Sequence, residues 1–111
     1  THLSVYGTDA MAIKQMIKED ISLAEKIHAM YPYTKAEVKW AIQNEMAITI
    51  EDILARRIRL LFLDANAAVE AAPLVATMLA SLTGNNKQWE KEQLEDFNML
   101  AKNYLVQTIT V

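Results

Sequence analysis

Apolar residues recur at spacings of three and four along most of the chain, with polar positions between them, which is the period of one buried helix face. Thr8 is placed to cap the first such run, and Ile13, Met16 and Ile17 share one face of it. Ile21, Leu23, Ala24 and Ile27 follow out of phase, so a break and a short second helix or turn are expected there. Pro32 ends that region by pushing Tyr31 out of the helical range. Thr34-Lys35-Ala36-Glu37 then forms a capping box opening a helix whose inner stripe is Val38, Ala41 and Ile42, with Trp40 on its flank. Thr49-Ile50-Glu51-Asp52 repeats the start signal in its Asp form. Ile50, Ile53, Leu54, Ile58 and Leu61 mark one face of the helix it starts.

Asp64 can open the next helix, rich in small residues at Ala65, Ala67, Ala68, Ala71 and Ala72. Small side chains let neighbouring helices approach closely, so this helix is expected at the centre. Pro73 lacks an amide hydrogen and is expected to kink or split it. Leu74, Met78, Leu79 and Leu82 carry the apolar face to Gly84, a suitable C-terminal cap, and Asn85-Asn86 form a loop. The last helix groups Leu94, Phe97, Ala101, Tyr104 and Leu105, leaving Glu90, Lys91, Glu92, Glu95 and Asp96 mostly solvated. Residues 1–7 read as a lead-in, and 107–111 as a β-prone tail expected to fray. The pattern predicts an all-α fold: a compact bundle of five to six helices forming a single domain over 1–111.

Composition sharpens this picture. The 111 residues are 52% hydrophobic with only two Gly and two Pro, which favours helix over sheet and argues against disorder. There is no Cys, so disulfides and thiolate metal sites are excluded. A net charge of −3 and a pI near 5.3 do not suit a whole-domain grip on nucleic acid. No run of about 18 apolar residues reads as a membrane span, and no segment reads as a signal peptide. The first Met, Met11, lies inside a helical pattern, so the chain reads as a fragment of something longer.

Candidate chemistry is sparse. Glu25-x-x-His28 matches one half of a di-metal bundle site, but His2 has no matching Glu, so a surface histidine is the better reading and no metal is expected. Asp96-x-Asn98 starts like a calcium loop and fails where Met99 and Leu100 stand in place of oxygen ligands. GxSxG, GxGxxG, P-loop and HExxH patterns are absent. The adjacent acids Glu19-Asp20 and Glu51-Asp52 suit capping rather than acid–base catalysis.

Arg56, Arg57 and Arg59 carry the one concentrated signal. Late in a helix they complement its dipole and can pair with Glu45, Glu51 or Asp64; they can also anchor an acidic or phosphate-bearing partner surface. A DNA-groove helix fits poorly, because the arginines come late and the domain is acidic. RRIRLLFL has the look of a membrane-surface anchor, although Leu61, Phe62 and Leu63 read first as core.

Residues 36–79 resemble the C-terminal helical domain of FAD-dependent (respiratory) glycerol-3-phosphate dehydrogenases. The pieces that carry this are Glu37-Val38 with Ala41, Glu45-Met46-Ala47, Thr49 through Asp52, Leu54-Ala55-Arg56-Arg57, Arg59-Leu60 and Leu63-Asp64. The Ala-rich segment with Pro73 and the lead-in Tyr6-Gly7 agree, so the likeness covers Tyr6 to Leu105. The resemblance implies a fragment of an enzyme oxidising sn-glycerol 3-phosphate to dihydroxyacetone phosphate, passing electrons through FAD to quinone or oxygen. It places flavin and substrate residues in an N-terminal portion of the same polypeptide, so no catalytic or cofactor-binding residue is expected here. It also implies a cytoplasmic enzyme, peripheral at the inner face of the cytoplasmic membrane. The arginine-rich helix end is expected to dock on that N-terminal portion, with Arg56, Arg57 or Arg59 at the docking face or its support. The alternative is a free-standing helical module binding protein or DNA through the same arginines.

Overall fold

The computed structural model describes the backbone of residues 9–110 and the side chains of residues 10–104; Thr8, His2, Tyr6-Gly7 and Leu105 as a side chain fall outside these. The fold is all-α, as the periodicity requires, and no strand occurs among the described residues. Among the described residues five α-helices run in chain order: α1 (Asp9–Glu19), α2 (Lys35–Asn44), α3 (Leu60–Leu63), α4 (Ala65–Thr83) and α5 (Lys87–Thr110). A 3-10 turn at Ile21–Ala24 and a π-helix at Asp52–Arg57 complete the set. The helical backbone of α5 includes residues 107–110.

The central element is α4, against which α2, α3 and α5 all pack. Its Ala67, Ala68, Ala71, Ala72 and Ala76 are buried together with Val75 and Leu79. Small side chains along this face let neighbouring helix axes close in without a cavity. Asp64 caps its start by accepting the Ala67 amide at 3.1 Å, and Gly84 closes it in the left-handed region at φ 73°. Of the two outcomes expected at Pro73, a kink or a split, the split does not occur: α4 runs through it. It sits on the exposed side, where its ring meets solvent and the carbonyl it leaves unbonded can be hydrated. By length and apolarity α4 passes for a membrane span, which the run-length rule did not anticipate; in this fold it is the core helix.

A smaller cluster of Ile13, Leu23 and Ala36, with Ala10, Met16, Ile17 and Trp40 against it, seats α1 on α2. Trp40 therefore roofs this second core rather than flanking the first. Ile21 is 76% exposed, because the 3-10 turn capped by Asp20 rotates it outward while Leu23 turns in. The Ser22 hydroxyl and amide both donate to Asp20 and hold its carboxyl below the usual range.

The capping box at α2 is present, with the Thr34 amide donating to Glu37 at 3.3 Å. Glu37 is fully buried, so the box closes inside the protein rather than at its surface. Asn86 caps α5 through the Trp89 amide at 2.9 Å, and Phe97 and Ala101 dock that helix into the main core.

The segment between Pro32 and the 3-10 turn is strapped to α4. His28 Nδ1 accepts the Met30 amide at 3.1 Å, which leaves Nε2–H to donate to Glu70 at 2.8 Å. The Tyr31 hydroxyl donates to Asp64 at 2.7 Å. This bond, followed by the Ala67 amide, lowers the Asp64 pKa, and the same bond followed by burial raises that of Tyr31. His28 is consequently a structural tie with a side chain only 11% exposed, not the surface histidine expected. Glu25, its sequence neighbour in the metal-like pattern, pairs instead with Lys35 at 2.5 Å.

A candidate docking face at the arginine groove

The helix opened by Thr49 departs from the α-helix expected. Its start signal works as read: Asp52 accepts the Ile48 and Thr49 amides at 3.0 and 3.2 Å, and its own amide donates to the Thr49 hydroxyl at 3.0 Å. From Asp52 the backbone widens into a π-helix, and the Ile58 amide reaches back five residues to Ile53 at 2.8 Å. The wider turn buries Ile53, Leu54 and Ala55 in succession and leaves Arg56 and Arg57 side by side beyond them. Such π turns often mark functional positions.

Arg59 does not continue this helix. It adopts φ 66°, which breaks the chain direction, and α3 begins at Leu60. Leu61 is buried, but Phe62 and Leu63 are 53% and 63% exposed, so the expectation of core at those two positions is corrected. Phe62 meets Tyr104 edge-on at 5.4 Å, and the Arg59 guanidinium lies 5.7 Å from its ring centroid. Arg59 is thus separated from the other two arginines.

Arg56 and Arg57 line an open groove of about 500 Å³ with Ala41, Glu45, Met46, Ala47, Ile48 and Asp52. Arg57 Nε stands 2.7 Å from Glu45 Oε1, one of the three partners its position suggested. The two meet as an ion pair rather than an aligned hydrogen bond, with side chains 32% and 25% exposed. Arg56 is 74% exposed and reaches Asp52 only at 3.7 Å, a contact worth little in solvent. The groove is thus lined by a half-buried ion pair and by a solvated, weakly tied guanidinium.

The rim comes from the link between α2 and the π-helix. Met46 takes φ 59° where a glycine usually closes a helix, and the Ala47 amide returns to Ala41 at 3.2 Å. Met46 and Ile48 point outward at 85% and 64% exposure, with Ala47 buried between them. Sequence reasoning missed both; Glu45-Met46-Ala47 carried no turn residue to signal a left-handed position.

None of the residues lining the groove is glycine, so it carries no glycine-rich phosphate-binding turn of the dinucleotide-binding kind. Among the described residues, no three His, Asp or Glu side chains converge as metal ligands.

The family model for the C-terminal domain of alpha-glycerophosphate oxidase matches residues 1–94. The chain belongs to this family. As a glycerophosphate-oxidase C-terminal domain, it is 35% identical over 100 residues to a probable mitochondrial glycerol-3-phosphate dehydrogenase of Dictyostelium discoideum, covering 90% of this chain and 15% of that protein. A probable mitochondrial counterpart from Caenorhabditis elegans is 35% identical over 99 residues, covering 85% of this chain and 14% of the relative. The mitochondrial glycerol-3-phosphate dehydrogenase of Homo sapiens is 33% identical over 99 residues, with the same coverage of 85% and 14%. The domain thus spans about 15% of the length of the curated relatives it matches. No solved structure matches it significantly. The rival reading of a free-standing module binding protein or DNA finds no support in these matches.

Proposed function

We propose that this domain is the C-terminal accessory part of an FAD-dependent glycerol-3-phosphate dehydrogenase. The parent enzyme oxidises sn-glycerol 3-phosphate to dihydroxyacetone phosphate, with FAD held by an N-terminal portion of the same polypeptide and electrons delivered to quinone. The domain packs against that portion through the arginine groove and has no catalysis of its own. The observation that carries this reading is the family match over residues 1–94 in a chain spanning about 15% of its dehydrogenase relatives. The groove adds a surface suited to docking, with Arg56 as the contact and Arg57 as its internal support.

The proposed location is cytoplasmic, peripheral at the inner face of the cytoplasmic membrane; the relatives' names place those proteins in mitochondria. Cell fractionation with and without high salt distinguishes a peripheral enzyme from a free one.

Arg56→Glu in the full-length polypeptide tests the docking role. Arg56 is exposed and weakly tied, so the substitution should leave folding within about 0.5 kcal/mol. Flavin retention or turnover should fall several-fold. Unchanged flavin content and turnover would count against docking at this face.

A further inference from the structure

We infer that Met46 and Ile48, with Arg56 lining the same groove, form the seat for a segment of the enzyme's own N-terminal portion that offers an apolar side chain beside a carboxylate. This deepens the proposed function and rests on it. Three observations converge on the seat. The link between α2 and the π-helix is fixed at both ends, by the Ala47-to-Ala41 bond and by the two amides held on Asp52. Met46 and Ile48 are therefore presented by rigid backbone and not by a wandering loop.

Met46 also holds a left-handed conformation that an L side chain enters at a cost, in a place where glycine would relieve it. Its side chain is 85% exposed and gains almost no burial within this domain in return. Strain held without local benefit is typical of a position kept for contact with something else. Finally, the groove supplies the polar half of a recognition site. Glu45 engages Arg57, while the Arg56 guanidinium is open to solvent and reaches Asp52 only at 3.7 Å. A carboxylate from outside completes it, and an apolar neighbour covers the rim.

The occupant follows from chain length. About 85% of the length of each dehydrogenase relative lies outside this domain, so the surface most available to cover the groove is tethered to it. The Phe62 and Leu63 patch is a weaker seat, because Phe62 is already in contact with Tyr104 and Arg59.

Methionine oxidation reads the seat directly, since Met11, Met30 and Met99 are 78%, 78% and 67% exposed and serve as internal standards. The full-length polypeptide is treated with dilute hydrogen peroxide and the sulfoxide at each methionine is followed by peptide mass spectrometry. Met46 should oxidise roughly tenfold more slowly than those three, and all four should react alike once urea unfolds the protein. The protection should persist through hundredfold dilution, as a contact within one polypeptide requires. Met46 oxidising as fast as the standards in a flavin-bearing polypeptide overturns the seat and leaves the proposed function standing. Protection that vanishes on dilution assigns the groove to a second copy and also overturns it. A polypeptide with no flavin absorbance removes the proposed function, and the seat falls with it.

Discussion

Removing either partner of the Arg57–Glu45 pair should loosen the domain by an amount that its partial burial sets. Fully exposed pairs contribute about 0.2–1 kcal/mol, whereas stranding one member of a buried pair costs about 3–5 kcal/mol. At 32% and 25% exposure and 2.7 Å separation, this pair falls between those limits, at about 1–2 kcal/mol. Glu45 follows the last residue of α2 and Arg57 is the last of the π-helix, so the pair also clamps the rigid link between them. The assay is a double-mutant cycle of Glu45→Ala, Arg57→Ala and the double variant, read by urea unfolding. Each single variant should lower the unfolding free energy by about 1–2 kcal/mol, and the double should cost about as much as either single. A coupling energy below about 0.3 kcal/mol, the ordinary noise of additivity, would refute the view of Arg57 as structural support.

Met46→Gly should raise stability by about 0.5–1 kcal/mol in thermal unfolding, because glycine takes the left-handed position without strain. Leu54→Ala should cost about 2–5 kcal/mol, since Leu54 is wholly buried in the main core; a cost under about 1 kcal/mol would mean that the π-helix is misplaced. The Tyr31–Asp64 bond predicts two pH limbs. Asp64 is depressed below 3.8, so its contribution is full above that value and is lost as pH falls through the lower folded pKa. Tyr31 is raised above 10.0, so its contribution is full below that value and is lost as pH rises through the higher folded pKa. Tyr31→Phe should flatten the alkaline limb and move the acid limb to higher pH in denaturant titrations.

Helix existence and the central helix were legible because the signals were local and mutually consistent. Asp64 and Gly84 bracket α4 as their chemistry suggests, and the alanines face inward. Both capping boxes formed where Thr and an acid stood three residues apart. The failures arise where tertiary packing chose among conformations that the pattern permits equally. Ile50, Ile53, Leu54 and Ile58 suit either an α turn or the wider π turn, and only packing against α2 and α4 distinguishes them. No residue type announces a left-handed Arg59 or Met46, so neither the break before α3 nor the rim of the groove could be read. Phe62 and Leu63 looked like core because α3 was expected to continue a helix that ends before it. His28 looked solvent-facing because Glu70, its partner, lies 42 residues along the chain.

Of the candidate site, the arginine cluster was found and then divided. Arg56 and Arg57 share the groove, while Arg59 turns to Phe62. The apolar half of the same surface was invisible, since exposed methionine and isoleucine carry no signature apart from the structure that presents them.

The central claim is that this helical domain supports chemistry carried out elsewhere in the same polypeptide. Proteolytic separation of the 111-residue domain from the remainder of the enzyme, followed by absorption spectra of both fragments, tests it most directly. The flavin spectrum should stay with the remainder and be absent from the domain. Flavin retained by the domain alone, or oxidation of glycerol phosphate by it unaided, would contradict the account.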